Sequence, residues 1–390
     1  MLPKQQPIIT PKIIHRKDHS ISRKNIDPYA LKTMYRLKKF GFEAYLVGGA
    51  VRDLLLGLRP KDYDVVTNAT PDEIKKIFSN SFIIGRRFKL VHVIYKRQII
   101  EVITFRKEPN IISDNGVIAF DNNFGDINED SIRRDITINA LYYNIKDFSI
   151  VDYSDGFRDI KKNIIKIIGD PNLRFQEDPL RILRVLRFAA KFNWNIDRET
   201  KKAIKQKKEL LIHIKAPRLY EEFKKLFSKG AAYNSYLLLN KHKTLEYIFS
   251  NSELFDLKLI KNGLKLSDSR FNENKTVNII YIIAIFLWGV IEKHIQSNNI
   301  NPENVEKLKR EIDKIIAEQR KILPISNNET ILLKKLLAMQ FKFNIQNSKN
   351  LKYILTHKYF HMSYELFNLR YSSGRVKRKL YKYWANACGK

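Results

Sequence analysis

Two aspartates one residue apart, Asp62 and Asp64, limit most strongly what this chain can fold into and do. In a β-strand alternate side chains point to the same face, so two carboxylates at this spacing converge on one spot. Carboxylate oxygens are hard ligands that suit Mg²⁺, and two such ions can hold the attacking and leaving oxygens of an in-line displacement. The same pattern also occurs by chance at a solvated strand edge, so it needs support from its neighbours.

A glycine turn lies directly upstream. Ala44–Val47 has the pattern of a buried strand, Gly48 and Gly49 follow it, and Val51–Leu56 has the pattern of a helix. Glycines at a strand-to-helix turn let the backbone approach a ligand, and the N-terminus of the following helix offers unpaired N–H groups to an anion. Arg52 adds a cation whose planar fork can bind phosphate oxygens. The sequence therefore predicts a phosphate-binding turn followed closely by paired carboxylates.

These residues resemble a known signature. Gly48–Asp53 followed by Lys61–Asp64 resembles the nucleotidyltransferase motif of the bacterial poly(A) polymerase and CCA-adding enzyme family, the class II branch of the polymerase β superfamily. Three later stretches resemble further motifs of that family, in the family's order: Arg133–Asn139, Asp152–Asp159 and Glu177–Phe188. The resemblance implies an α+β fold, with a polymerase-β-like nucleotidyltransferase head built on a mixed sheet and followed by all-α neck and body domains.

The chain is too long for a single core, since it has 390 residues. Strand patterns stop after the head and helical patterns follow, which indicates separate domains. We expect a flexible basic arm at residues 1–28, the head at 29–170, a helical neck with a nucleotide-selecting helix at 171–240, and an all-α body with a basic RNA-binding tail at 241–390. Within the head, residues 107–130 predict a flexible loop, and Ser131–Leu141 predicts a helix.

The resemblance also implies roles for the stretch after that loop. Arg133 and Arg134 would contact the incoming nucleotide, and Asp135 would join the first two aspartates as a catalytic carboxylate. Glu101 lies in a second predicted strand, Ile99–Phe105. Whether its carboxylate is a further metal ligand or faces outward from the sheet stays open at this point.

A helix that begins near Asp178 carries Arg181, Arg184 and Arg187 three residues apart. Three positions at this spacing spread over about 120° of the helix, so the guanidinium groups share one broad face. The intervening residues are apolar, which predicts a buried helix with its arginines in an internal cleft. In the resembled family this helix is a protein template that hydrogen-bonds the base of ATP or CTP. The resemblance therefore implies that Asp178 and the three arginines bind the nucleotide. Pairing of the arginines with carboxylates of the head is the alternative.

The formal net charge of +31, with 72 Lys+Arg against 41 Asp+Glu, favours a polyanionic partner. An A+T-biased genome is an alternative source of part of the excess lysine, because Ile and Asn are also abundant. The tail Leu369–Lys390 interleaves basic residues with aromatic ones, a pattern that suits single-stranded RNA as well as a solvated terminal helix. Its aromatic residues are Tyr371, Tyr381, Tyr383 and Trp384.

Cys388 is the only cysteine, which fits a reducing compartment. The N-terminus lacks the apolar core of a signal peptide. The most hydrophobic window, Val277–Ile291, is shorter than a membrane span and predicts a buried helix. We therefore expect a cytoplasmic protein without membrane contact.

The resemblance, together with these features, implies a template-independent polynucleotide adenylyltransferase. An RNA 3′-hydroxyl would attack the α-phosphate of the substrate ATP, with two Mg²⁺ ions, or Mn²⁺, on Asp62 and Asp64. Expected roles are mRNA polyadenylation, RNA processing and decay, with RNA-decay proteins as further partners. A CCA-adding tRNA nucleotidyltransferase is the alternative, and a non-catalytic RNA-binding protein is the alternative of another class.

Four stretches resemble the poly(A) polymerase branch of this family more than its CCA-adding branch. They are the long arm with Ile21–Lys24, the run Gly85–His92, the ending Asn139–Tyr143 and the start Glu177–Leu180. In the resembled family both activities use the same head and template helix.

Overall fold

The computed structural model describes residues 10–85, 89–96, 98–107, 123–301, 304–344 and 351–389. The chain forms two compact units. The first comprises the chain up to Arg181 together with Trp194–Ala203, and the second comprises Ile182–Asn193 together with the chain from Ile204 onward. The division therefore falls inside the arginine-bearing helix, not at residue 170 or 240.

The first unit is built on an eight-stranded sheet. Its strands are β1 Lys12–Ile14, β2 Ala44–Val47, β3 Asp64–Thr67, β4 Ser81–Ile84, β5 Leu90–Tyr95, β6 Gln98–Thr104, β7 Leu141–Asn144 and β8 Ile150–Asp152. The spatial order is β1-β8-β7-β2-β3-β6-β5-β4. The pair β3 and β6 is parallel and the other neighbours are antiparallel, which confirms the predicted mixed sheet.

Short helices connect these strands. They are α1 Pro28–Lys39, α2 Gly49–Leu55, α3 Pro71–Ile77, α4 Ile127–Arg133, α5 Gly156–Lys162 and α6 Pro171–Glu177. Helix α3 begins at the capping box that its sequence contains, since the Thr70 hydroxyl accepts the Glu73 N–H and the Glu73 carboxylate accepts the Thr70 N–H. A second sheet pairs β9 Ile164–Ile165 in parallel with β10 Asn195–Ile196.

The prediction of a flexible arm at residues 1–28 is wrong for its described part. Strand β1 pairs with β8 from Lys12 opposite Asp152 to Ile14 opposite Ile150. Further along, the His19 ring is only 8% exposed and bonds to the Phe148 carbonyl at 2.8 Å. The head sheet therefore orders the arm through backbone and side-chain hydrogen bonds; residues 1–9 lie outside the described part.

The helix predicted over Ser131–Leu141 is also wrong. Helix α4 begins earlier, at Ile127, because Asp126 and Glu129 form a capping box, and it ends at Arg133. The chain then runs extended, makes a short 3₁₀ turn and enters β7. Part of the predicted loop at 107–130 is thus helical, and residues 108–122 lie outside the described residues.

The turn from β8 into α5 requires a glycine. The buried Asp152 carboxylate accepts the N–H groups of Ser154, Gly156 and Phe157 at 2.9–3.1 Å. This holds Gly156 so close to the Thr137 carbonyl that an added Cβ would lie 2.8 Å from its carbon. No side chain fits there without backbone movement.

Gly156→Ala is therefore expected to lower the free energy of unfolding by about 2–3 kcal/mol, because the new methyl group overlaps backbone atoms. Urea denaturation measures the change. Lys162→Ala, at an exposed position of the same helix, should stay within about 0.5 kcal/mol of the parent. Equal stability of Gly156→Ala and the parent would contradict the close approach.

The rest of the chain is helical, as expected. The helices are α7 Leu180–Phe192, α8 Arg198–Lys207, α9 Ala216–Phe227, α10 Ala232–Lys241, α11 Leu257–Asn272, α12 Ile279–Ser297, α13 Val305–Ile322, α14 Asn327–Phe343, α15 Leu351–Leu355, α16 Phe360–Ser372 and α17 Arg378–Ala387.

Helix α12 forms the core of the second unit. By length and composition alone it could cross a membrane, but 72% of its apolar window is buried inside the protein. Its residues 282–291 have no exposed surface or almost none, and it packs against α11, α13 and α14. The prediction of a buried helix here is confirmed.

The tail does not present all its aromatic rings to solvent, so Trp384 fits neither base stacking on RNA nor a fully solvated terminal helix. The Trp384 side chain is fully buried, and its Nε1–H donates to the Phe343 carbonyl at 2.8 Å. The rings of Tyr371 and Tyr381 stack on each other with centroids 3.8 Å apart. Aromatic packing in the core explains these rings, and the predicted RNA contact of the tail now depends on its exposed basic residues.

Candidate active site

Three carboxylates lie within electrostatic reach of one another where β3 begins. Asp64 is the first residue of β3 and lies opposite Glu101 of the parallel strand β6, while Asp62 is exposed just before the strand. Burial, together with the negative charges of Glu101 and Asp62, raises the pKa of Asp64 to about 6, and Arg134 opposes the shift. The predicted pair is thus joined by Glu101, whose charge acts on Asp64 more strongly than that of Asp62.

This excess of negative charge fits a divalent cation. Among the described residues no three His, Cys, Asp or Glu side chains form a metal-binding group by themselves. Mg²⁺ does not need such a group, since it usually takes one or two carboxylates and completes its coordination with water and substrate phosphates. Asp62 and Asp64 fit this mode. The Glu101 carboxylate lies 3.4 Å from His92 Nε2, so its part in metal binding stays a prediction.

The glycine turn lies beside a fixed cation. Gly48 has φ +73°, and its N–H donates to the Leu141 carbonyl at 3.3 Å. No side chain caps helix α2, so the amides that begin at Gly49 are not used by a capping group. A Cβ on Gly48 would lie 3.7 Å from Arg134 Nη1. Backbone N–H groups and one guanidinium group therefore meet at the turn, as phosphate binding requires.

Arg52 has a different surrounding from the one expected. Its side chain is buried and donates to the Asp53 carboxylate at 2.7–2.8 Å and to Asn139 Oδ1. These contacts brace helix α2 against the segment that follows α4. Direct phosphate binding by Arg52 stays a prediction.

Arg134 belongs to a buried network that sequence reasoning missed. Its Nε and Nη2 donate to Asp130 at 3.0 and 2.8 Å, and Tyr142 donates its hydroxyl to the same carboxylate at 2.8 Å. Burial alone would raise the pKa of Asp130, but the charges of Arg134 and Arg133 overcome it and hold the pKa below its usual range. Asp130 therefore keeps Arg134 in place. The only sequence signal is the spacing of four residues between them.

Asp135 does not meet the first two aspartates through any described contact. Its carboxylate accepts a hydrogen bond from Arg181 Nε at 3.1 Å. Arg181 Nη1 also donates to Glu177 at 2.7 Å. Asp135 thus orients the first arginine of α7, and its predicted catalytic role stays a prediction.

Arg174 is a second residue that the sequence did not point to. It is 6% exposed, and its Nη2 lies 2.8–3.4 Å from the carbonyls of residues 132–134, the last turn of α4 and the residue after it. Its Nη1 donates to Glu177 at 2.9 Å. One guanidinium group therefore links the segment that carries Arg134 to the corner that carries Arg181.

Helix α7 begins as predicted, since Asp178 Oδ1 accepts the Leu180 N–H at 3.2 Å. Arg181, Arg184 and Arg187 occupy its partly exposed positions, and the residues between them are buried. Arg187 pairs with the buried Glu222 of α9, inside the second unit. Pairing with carboxylates of the head, the alternative to nucleotide binding, thus describes Arg181, whereas Arg187 pairs with a carboxylate of the second unit.

Comparison with known proteins decides the family. The chain matches the models described as poly A polymerase head domain at residues 44–166, probable RNA and SrmB-binding site of polymerase A at 193–255, and polymerase A arginine-rich C-terminus at 301–389. It is 38% identical to poly(A) polymerase I of Escherichia coli O6:H1 over 405 aligned residues, 97% of this chain and 87% of that protein. The chain belongs to the poly(A) polymerase family.

CCA-adding enzymes are also similar, over less of the chain or at lower identity. That of Lactobacillus helveticus is 41% identical over 199 residues, which is 50% of this chain and 49% of that protein. The solved structure of the Bacillus stearothermophilus CCA-adding enzyme in complex with CTP is 25% identical, has a TM-score of 0.63, and is matched over 93% of this chain and 83% of its own. Membership of the poly(A) polymerase family confirms the predicted fold and the prediction of a nucleotidyltransferase.

Proposed function

We propose that this chain adds AMP from ATP to RNA 3′ ends without a template, in mRNA polyadenylation, RNA processing and decay. The observation that carries the proposal is the likeness to poly(A) polymerase I over 97% of the chain. The likeness to the CCA-adding enzyme of Lactobacillus helveticus covers 50%. CCA addition stays as the second candidate because the solved structures of similar fold include a CCA-adding enzyme and a tRNA nucleotidyltransferase.

In the proposed reaction the RNA 3′-oxygen forms a bond to the α-phosphorus of ATP, the bond from that phosphorus to the bridging oxygen breaks, and pyrophosphate leaves. The amides from Gly49 onward and the Arg134 guanidinium, which meet at the glycine turn, bind the phosphates. Asp62 and Asp64 would hold two Mg²⁺ ions, or Mn²⁺, which supply charge neutralisation and help the 3′-hydroxyl lose its proton. The protein's own contribution is position and fixed charge.

Nucleotide selection is assigned to the start of α7. Arg181 is held from two sides by Asp135 and Glu177, and Asp178 sits at the helix start. A guanidinium group fixed in this way can present its remaining donors to a base edge in one orientation. Arg133, Arg184 and Arg187 complete the proposed nucleotide contacts.

The decisive experiment supplies ATP or CTP separately to the purified protein, with two substrates: a tRNA that lacks its last three nucleotides and an unrelated RNA. We expect AMP addition to both RNAs and long tails with ATP alone. Addition of CMP followed by arrest after three nucleotides would establish CCA addition instead.

We further propose a cytoplasmic location and contact with RNA-decay proteins. The match to a probable RNA and SrmB-binding site over residues 193–255 supports such a partner.

A further inference from the structure

A pocket lies on the face of the head sheet opposite the Arg134 network. Tyr142 and Tyr143 are neighbours on β7, so their side chains point to opposite faces of the sheet. Tyr142 contacts Arg134, whereas Tyr143 lines a pocket of about 570 Å³ between the arm, α1 and the turn that joins β7 to β8. We name it the arm pocket; its charged and aromatic lining residues are Arg16, Arg23, Lys24, Tyr35, Tyr143 and Phe148.

The arm is locked onto this pocket. The buried His19 ring bonds to the Phe148 carbonyl at 2.8 Å and accepts the Ile21 N–H at 3.2 Å. Phe148 has φ +61°, a left-handed conformation that is rare and strained for a bulky residue. The Arg23 guanidinium lies 4.4 Å from the centre of the Phe148 ring, and its Nη1 donates to the Tyr35 hydroxyl at 3.0 Å. Strain retained at such a contact indicates a built feature rather than a loose surface.

The pocket has more positive than negative charge. Within the described part of the chain no carboxylate forms a salt bridge with Arg16, Arg23 or Lys24. Two acidic groups lie near the pocket: Asp18 belongs to the same turn as Arg16, and Asp147 already accepts hydrogen bonds from the backbone and hydroxyl of Ser149. The three neighbouring cations outnumber these two carboxylates and attract an anion.

One buried polar group is also unsatisfied. The Tyr143 side chain has no exposed surface, and its hydroxyl has no hydrogen-bond partner among the described residues. The guanidinium groups of Arg16 and Arg23 are near enough for their charges to act on this hydroxyl. Buried hydroxyl groups are normally paired, so Tyr143 holds an unpaired polar group directly beneath the lining of the pocket.

We propose that the arm pocket binds a nucleotide of the RNA strand away from the catalytic carboxylates, with a phosphate among Arg16, Arg23 and Lys24 and a base against the half-exposed ring of Tyr35. The inference rests on the proposed function, since it takes RNA as the substrate. Cations combined with aromatic rings are the arrangement by which proteins hold single-stranded nucleic acid without reading its sequence. The pocket gives the strand a second attachment on the head.

The test removes two pocket cations from the full chain. Binding of a labelled single-stranded oligo(A) is measured by fluorescence anisotropy over a range of salt concentrations. Arg16→Ala/Arg23→Ala should lower the slope of log affinity against log salt by about 1.4, since each lost phosphate contact on a single strand removes about 0.7. Lys76→Ala/Lys162→Ala removes the same charge from exposed helix positions outside the pocket and should leave the slope unchanged.

The Arg16→Lys/Arg23→Lys variant keeps both charges and should restore most of the slope, which excludes loss of the arm's fold as the cause. A slope for Arg16→Ala/Arg23→Ala equal to the slope for Lys76→Ala/Lys162→Ala would overturn the arm pocket as an RNA site. Binding of free AMP is measured on the same variants. If Arg16→Ala/Arg23→Ala loses AMP binding while its RNA slope is unchanged, the pocket binds a free nucleotide, which would overturn it as an RNA site. Failure of the parent chain to bind RNA would instead contradict the proposed function itself.

Discussion

Asp64→Asn is expected to slow RNA extension by about 10³-fold or more. It removes one of the two carboxylates proposed to hold the metal ions that neutralise charge at the reacting phosphate. The amide keeps the size and shape of the side chain but cannot serve as an anionic ligand. Single-turnover extension of a labelled RNA with ATP measures the rate, and anisotropy should show nearly unchanged RNA binding. Asp62→Ala and Asp64→Ala should likewise abolish extension.

The same substitution should not destabilise the protein. Asp64 ionises near 3.8 in the unfolded chain and at about 6 in the folded one. Because the folded state binds the proton more tightly, the free energy of unfolding falls as the pH rises between these values. Asparagine removes this penalty, so Asp64→Asn should be more stable than the parent at neutral pH by on the order of 2 kcal/mol. The fall between pH 4 and 6 should be smaller in its urea-denaturation profile.

Asp72→Asn is the matched control, since it makes the same change at an exposed position on α3. It should keep full activity. The opposite pattern for Asp64→Asn, with stability lost and the extension rate retained, would show that Asp64 is a structural carboxylate.

Arg174→Met should have the second largest effect, a loss of about 3 kcal/mol in stability, because it leaves three backbone carbonyls without their charged donor. It should also slow extension by about 10–100-fold at temperatures where the variant is folded, since the segment with Arg134 loses its anchor. Urea denaturation and steady-state kinetics with ATP measure the two effects. We expect kcat to fall more than the KM for ATP rises.

Two comparisons test that explanation. Arg36→Met, at an exposed position of α1, should change stability by no more than about 0.5 kcal/mol. Arg174→Lys should give an intermediate result, because one ammonium group cannot contact the carbonyls and the Glu177 carboxylate together, as the two terminal nitrogens of the guanidinium group do. A fully active and stable Arg174→Met would mean that the end of α4 holds its position without the clamp.

The parts of the fold that could be predicted from sequence are those fixed by neighbours in the chain. The strand before Gly48, the capping box at Thr70 and the helix start at Asp178 each depend on residues within about four positions of one another. The family motifs extended this to the mixed sheet, because they carry the order of elements that local patterns lack.

The errors and omissions arise from distant contacts. The helix predicted through Ile136–Ile138 is replaced by a 3₁₀ turn that begins at Thr137, because the backbone of Asp135 and Thr137 bonds to residues 166 and 168. Arg174 reaches carbonyls about 40 residues earlier, as its contacts show, and no local pattern signals that. Trp384 resembled an RNA-stacking residue because basic neighbours surround it. Its ring instead packs against Phe343 of α14, 41 residues earlier in the chain.

The burial of α12 has a consequence for biosynthesis. Two of the helices that cover it, α13 and α14, come later in the chain. Until these helices have left the ribosome, the nascent chain exposes a continuous apolar segment that chaperones must shield. Truncation before α14 would leave that segment permanently uncovered, so such fragments should aggregate rather than accumulate as folded heads.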